Sequence, residues 1–365
     1  MLTRRSAREY GFWLGMLSPG FNNDITDVPG VCVGHVSLIS GEGPLIPGKG
    51  PVRTGVTAIL PHGGNLYRHP CKAGIYVYNG FGKSLGIPYI SETGVLNSPI
   101  LLTNTLSVND VAQGVLTYLL RQNPEIGNDA RTPNVVVFEC DDSYLNDMRG
   151  RHVKPWDALL AISRAVPGPI SQGNVGAGVG MSCFQLKGGI GSSSRKVRLP
   201  QGPEYMIGVL ALANFGLLED LWLAGAPLGW LLLREWPDGD PGMDYVPGSL
   251  IFVGLTDAPL TSSQLEKLAK RMALGQARTG SLSRTGSGDF ALMASTTSEG
   301  AGAISDWELD VFYQAVVEAS AESIWNALFY AETMVGRDWH RRQALPIGKA
   351  LRFLRNWQGG VVIDN

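Results

Sequence analysis

The feature that most constrains this chain is a junction. Residues 234–248 read REWPDGDPGMDYVPG, with three Pro, three Gly, three Asp and no hydrophobic period. The next residue, Ser249, opens SLIFVGL, an apolar run of strand length. A flexible linker therefore meets a buried strand abruptly, and one serine stands at the threshold of the core. Such a strand needs covering layers. At 365 residues with 44% hydrophobic and 17% charged side chains, the chain has the material for them, and global disorder is excluded.

Composition narrows the partners. Lys plus Arg number 30 and Asp plus Glu 32, for a net charge of −2 with no basic run, so neither nucleic acid nor an acidic membrane surface is expected. Cys32, Cys71, Cys140 and Cys183 form no CxxC pair, which argues against a disulfide scaffold and for a reducing compartment. The N-terminal stretch has basic residues and a short apolar part, Gly11 to Leu17, but Arg8 and Glu9 interrupt a leader pattern. Cytoplasm is the expectation, with periplasm the alternative. The longest apolar run, Leu221 to Leu233, is broken by Gly225, Pro227 and Gly229 and is too short to span a bilayer.

Strands and helices mix along the chain. Residues 22–62 read as strands and turns, and NVVVF (134–138), YMIGVLALA (205–213) and 289–295 as further strands. Ser107 to Gln122 has helical spacing at Val108, Val111, Val115 and Leu119. Thr261 with Gln264 makes a capping box for a helix to about Gln276. Ser305 with Glu308 opens a helix expected to run to about Val335 and stop at Gly336. Residues 344–357 read as a last helix. The pattern implies a layered α/β or α+β architecture.

Ser249 is the first chemical candidate. A serine hydroxyl needs a base, and one source is its own α-amine, freed by backbone cleavage. That solution wants a small residue before the serine, here Gly248, a buried strand after it and a linker able to move away. On pattern alone, an ordinary Gly-Ser turn explains the same residues.

Longer stretches carry a resemblance. FNNDITDVPGVCVGHVSLISGEGPLIPGKGPVRTGVTAILP (21–61), ECDDSYLNDMRGRHV (139–153), GNVGAGVGMSCFQLKGGIGSSSR (173–195), LANFG (212–216), PGSLIFVGLTDAPL (247–260) and RTGSGDF (284–290) occur in order over most of the chain. They resemble the self-processing serine aminopeptidases, peptidase family S58, which include the L-aminopeptidase/D-amidase-esterase and the β-peptidyl aminopeptidases. The resemblance implies a four-layer αββα sandwich like that of N-terminal-nucleophile hydrolases, with its own strand connectivity. It implies one catalytic domain, self-cleaved into an α chain, 1–248, and a β chain, 249–365, with 234–248 as the flexible linker. The substrates implied are small peptides, amides or esters with a free amine. No cofactor is implied, and the αβ units are expected to assemble as a homo-oligomer.

Carried over residue by residue, Ser249 resembles the nucleophile, with Gly248-Ser249 as the cleaved bond. Asn214 matches an oxyanion asparagine; its alternative is a strand-end turn. Ser287 and Asp289 match a Ser-x-acid pair that assists the nucleophile, where the family examples carry Glu, one methylene longer. Their alternative is a Ser-Gly-Asp turn. Glu139 matches a carboxylate that binds the substrate ammonium; its alternative is a solvated strand-end Glu. Tyr144 and Asp141 are expected to line the pocket.

Rival chemistry is weaker. GNVGAGVG resembles a dinucleotide loop, but neither a good strand precedes it nor a helix pattern follows. Close backbone packing is the better reading. His62, His69 and Cys71 match no zinc template, and no metal is expected. Two alternative functions stand beside hydrolysis. One is an acyltransferase working through the same acyl-enzyme, although the superfamily's acetyltransferases use Thr. The other is a non-catalytic relative of the fold.

Overall fold

The computed structural model describes residues 4–12, 14–200, 202–235, 248–297 and 303–357. Two sheets form its centre. One has four strands in the order β1-β2-β5-β6, from β1 (Cys32–Ser40), β2 (Val52–Leu60), β5 (Ile100–Asn104) and β6 (Val136–Cys140). The other has six in the order β4-β3-β12-β11-β10-β9, from β3 (Cys71–Gly80), β4 (Val95–Leu96), β9 (Gly189–Arg198), β10 (Glu204–Asn214), β11 (Ser249–Thr256) and β12 (Gly288–Ser295). A small hairpin, β7 (Ser182–Cys183) with β8 (Leu186–Lys187), leads into β9.

Alternation along β11 builds the layers. Ile251, Val253 and Leu255 point between the sheets, against Phe138, Leu212 and Phe290. Leu250 and Phe252 point the other way, toward Leu265, Leu268 and Met272 of α5 (Ser262–Arg278) and the apolar face of α6 (Leu309–Tyr330). On the far side, Val56, Leu101 and Val137 of the four-stranded sheet meet Val111, Val115 and Leu119 of α2 (Val108–Gln122) and Ala158 of α3 (Pro155–Ser163). Three cores between four layers make the αββα sandwich. A fully buried Leu, Ile or Phe contributes about 1.5–3 kcal/mol, so a one-residue slip of β11, which exchanges its faces, is strongly disfavoured.

Helix ends follow the expected signals in part. The Thr261–Gln264 capping box heads α5. The Ser305–Glu308 box heads a short 3₁₀ turn before α6. The expectation that this helix continues to Val335 is corrected: it ends at Tyr330. Asn174 takes both backbone groups of Glu332, donating from Nδ2 to its carbonyl at 2.8 Å and accepting its N–H at 3.1 Å. The chain then forms a hairpin of β13 (Met334–Val335) and β14 (Arg341–Arg342). A partner 158 residues away in sequence ended the helix, which no local pattern signals. Two more helices, α1 (Ile87–Thr93) and α4 (Leu228–Arg234), have no counterpart in the periodicity above, and α7 (Ile347–Trp357) covers most of the expected last helix. Of the expected 234–248 linker, residues 236–247 lie outside the described residues.

The Gly-rich run packs as backbone. A Cβ on Gly176 would fall 2.9 Å from the Val56 carbonyl, and one on Gly178 would fall 2.5 Å from the Ile190 nitrogen. Only a three-residue 3₁₀ turn lies there, so no dinucleotide-binding helix follows it. No helix among the described residues is long and apolar enough to cross a membrane.

Helix and sheet approach closely at Gly191 of β9, where a Cβ would sit 1.9 Å from the Ser323 carbonyl of α6 and 2.4 Å from the Ala327 nitrogen. Both obstacles are backbone, so the helix must move as a body. Gly191→Ala is expected to lower stability by about 2–3 kcal/mol, read as a reduced urea midpoint at unchanged m-value.

Candidate active site

Strand register assembles the site at one edge of the space between the sheets. Asn214, last in β10, lies opposite Ser249, first in β11. Ser249 lies opposite Gly288, first in the parallel strand β12. Residues paired across strands share a face, so Ser249 and Asn214 both point between the sheets. Gly288 keeps that face open: a Cβ there would be 3.3 Å from Ser249 Oγ and 2.5 Å from the Gly82 nitrogen.

Gly248 is equally confined. A Cβ would come within 2.2 Å of the Asn214 carbonyl and 2.5 Å of Phe215 Cα. Its own carbonyl accepts the Gly288 N–H at 3.3 Å. The small residue before the serine is thus a steric requirement.

The Asn214 amide is fixed at both ends. Its Oδ1 accepts the Ser182 N–H at 2.7 Å, and Nδ2 donates to the Asp141 carbonyl at 2.8 Å. An amide nitrogen carries two hydrogens, so this orientation leaves a second donor direction on Nδ2.

Ser287 and Asp289 lie together, with Ser287 Oγ donating to Asp289 Oδ1 at 2.6 Å. Asp289 is fully buried. Burial pushes its carboxyl up from the usual range, and hydrogen bonds from Ser283, Ser287, Gln276 and the Leu250 N–H oppose that.

Glu139 lies near the end of β6 and is 1% exposed, which removes the reading as a solvated strand-end residue. Its Oε1 accepts the Lys83 N–H at 2.6 Å, and Oε2 accepts the Thr105 hydroxyl. Gly82, next to Lys83, is the residue packed on Gly288, so Glu139 is linked through this loop to the Ser249 face. From Glu139 the chain runs through Cys140, whose Sγ contacts the Leu212 carbonyl at 3.7 Å, to Asp141 at Asn214.

Tyr144 and Asp141 line a cleft with Asn214, Ser182, Phe215 and Arg342. The Tyr144 ring stacks on His340 at 4.6 Å, and the Arg342 guanidinium covers it at 3.6 Å. Arg342 Nε donates to Ser182 Oγ at 3.0 Å, which ties the stack to the segment that holds Asn214. Nothing in the sequence pattern marks His340, Arg342 or Thr105, because each arrives from a distant segment, and Ser182 is marked only by lying within the 173–195 stretch. Ser283 stands beside the RTGSGDF stretch, and its proximity to that stretch is the only signal for it.

His62, His69 and Cys71 line one cleft together. His62 Nε2 bonds the His69 carbonyl at 2.9 Å, and no group of three or more His, Cys, Asp or Glu side chains suited to a metal occurs among the described residues.

The arrangement holds a serine at a strand terminus, an amide donor on one neighbouring strand and a hydrogen-bonded acid on the other. The peptidase family S58 model matches residues 23–342. The chain belongs to that family. It is 41% identical to the beta-peptidyl aminopeptidase BapA of Sphingosinicella microcystinivorans, over 93% of this chain and 89% of that protein. Its fold matches the PH0078 protein of Pyrococcus horikoshii OT3 with a TM-score of 0.91 and 48% identity, over 97% of this chain and 99% of that one. It also matches the L-aminopeptidase D-Ala-esterase/amidase of Ochrobactrum anthropi, with a TM-score of 0.85 and 32% identity, over 98% of this chain and 99% of that one. That structure is described as a prototype for the serine aminopeptidases and a new variant among the Ntn hydrolase fold. The chain is a peptide-bond hydrolase of the aminopeptidase type.

Asp142, next to the site, is buried, and burial pushes its carboxyl up from 3.8 to about 7 against hydrogen bonds from Thr54 and Asn146. Between those values the folded state keeps a proton that the unfolded state has released, so this group makes stability fall as pH rises from about 4 to about 7. Asp142→Asn is expected to remove that part of the slope. Urea midpoints measured at pH 4 and pH 8 check it, with the gain over wild type larger at pH 8.

Proposed function

We propose that Ser249 cleaves the Gly248-Ser249 bond and then serves as the nucleophile of a serine aminopeptidase. The observation that carries this reading is the register: Ser249 is the first residue of a central strand, with Asn214 in line on one side and Gly288, flanked by Ser287 and Asp289, on the other. In self-cleavage, Ser249 Oγ attacks the Gly248 carbonyl carbon. The C–N bond breaks and the nitrogen leaves as the Ser249 α-amine. Water then hydrolyses the new ester, leaving a carboxylate on Gly248 and restoring the hydroxyl.

The freed amine is the general base for the second reaction. It takes the Oγ proton as Ser249 attacks a substrate carbonyl, and the leaving group takes that proton. Water resolves the acyl-enzyme. Asn214 Nδ2 donates to the tetrahedral oxygen, Ser287 and Asp289 hold the amine, and Glu139 pairs with the substrate ammonium, while Tyr144 and Asp141 line the cleft at Asn214. The substrates are small peptides, amino-acid amides or esters with a free amine. Likeness to a beta-peptidyl aminopeptidase adds β-peptides to the substrates to be tested.

The two products stay together, because β11 and β12 lie between β3 and β10 in one sheet. Exposed large apolar side chains, Phe21 at 100% and Trp307 at 94% foremost, support assembly of αβ units into a homo-oligomer.

Intact mass under denaturing conditions is expected to give two pieces, residues 1–248 and 249–365, of about 27 and 13 kDa from the 39.2 kDa chain. Ser249→Ala stays whole. A folded wild type that persists as one chain refutes the mechanism. In the processed enzyme, Asn214→Ala is expected to lower kcat about 10²–10³-fold. Glu139→Gln raises KM about tenfold or more for free-amine substrates. A panel of acetylated substrates separates the Glu139 effect from general damage.

A further inference from the structure

Asp289 is bound from both sides of its carboxylate. Ser287 donates to Oδ1, and Ser283 donates to Oδ2. Ser283 makes this bond from left-handed backbone, φ +47°, a conformation glycine adopts at lower cost. The loop that carries it is pinned. Asn79 Nδ2 of β3 donates to the Ser283 and Arg284 carbonyls at 3.3 and 3.0 Å. Ser281 Oγ accepts both the Ser283 N–H at 3.3 Å and Gln276 Nε2 of α5 at 2.9 Å. Two elements, β3 and α5, therefore hold one hydroxyl in place.

We infer that Ser283 is a positioning residue: with Ser287 it clamps both oxygens of Asp289, keeping that carboxylate charged and aimed at Ser287. This rests on the function proposed above, in which Ser287 and Asp289 assist Ser249. The need for a clamp is visible in the surroundings. From β3, the buried Tyr78 phenol has no hydrogen-bond partner, and burial and then the Asp289 charge push it well above its ordinary range. From β6, Cys140 is pushed up by burial and by the nearby carboxylates, Asp289 among them. The nearest cation along the loop, Arg284, is paired with Asp220 at 2.7 Å. Neutral donors from Ser283, Ser287, Gln276 and Leu250 therefore oppose the burial of the charge. A β-bulge places Tyr78 without a partner in β12, because Asn79 faces Asp289 and Val77 faces Phe290.

The test is Ser283→Gly, which removes the hydroxyl and relaxes the backbone, with Ser283→Ala as the variant that removes only the hydroxyl. Three readouts are taken: melting temperature, self-cleavage rate of freshly translated precursor, and kcat and KM on an amino-acid amide, the last two from pH 5 to 9. The precursor's Ser249 nitrogen is an amide and does not titrate, so an acid limb that moves with Ser283 reports on Asp289, whereas a limb set by Asp142, whose carboxyl is pushed up to about 7, stays in place. The expected result for Ser283→Gly is a melting temperature within a few degrees of wild type, because relaxed backbone offsets the lost donor, with unchanged KM and an acid limb moved up by about one pH unit in both reactions. Ser283→Ala moves the limb equally. Acid limbs that stay in place for both variants overturn the inference while leaving the proposed function standing. If wild type neither self-cleaves nor hydrolyses the amide, the proposed function fails instead. The clamp is then judged by ¹³C NMR titration of Asp289, whose pKa should rise by about one unit in Ser283→Gly; an unchanged value overturns it.

Discussion

β11 is buried on both faces, and the pairing it accepts on each edge fixes everything placed at its first residue. Leu250 and Phe252 belong to the helix-side core and Ile251, Val253 and Leu255 to the inter-sheet core. The strand cannot slide without exposing one set, so Asn214 and Gly288 stay opposite Ser249. The position of Ser249 is thus held by heavily buried packing on both faces of the strand. Glycine at 248 and 288 is what lets neighbouring backbone come close enough to complete that edge.

The polar groups around this edge show a division of labour. Between the sheets stand Ser249 and Asn214, where a substrate carbonyl would lie. Asp289 has its neighbour Ala291 in the helix-side core, so its carboxylate lies on the other side of the same strands. A buried carboxylate is costly without donors. Here the donors come from β11, α5 and the 279–287 loop, so the charge is held by elements that also build the core. Glu139 is treated likewise, with a backbone N–H and a threonine hydroxyl on its two oxygens.

Much of this was legible in the chain itself. The abrupt start of SLIFVGL marks β11, and the capping box at Thr261 marks α5, because both signals are local. The spacing of Ser287 and Asp289 fits the 2.6 Å hydrogen bond between them. The resemblance to the serine aminopeptidases led to Asn214 and Glu139, which periodicity alone leaves as a turn and a solvated end. The end of α6 was not legible, since Asn174 closes it from a distant loop.

The sequence by itself determined the elements, the alternation of their faces, the small residue before Ser249 and, by resemblance, the class of chemistry. Those depend on periodicity, on turn chemistry and on residue type, which are written locally. Only the tertiary structure decided which donors reach Asp289 and Glu139, and that Arg342 and His340 both pack on the Tyr144 ring. Those contacts join segments up to 198 residues apart along the chain. Their geometry follows from how twisted sheets and packed helices meet, and no local pattern encodes where two such segments cross.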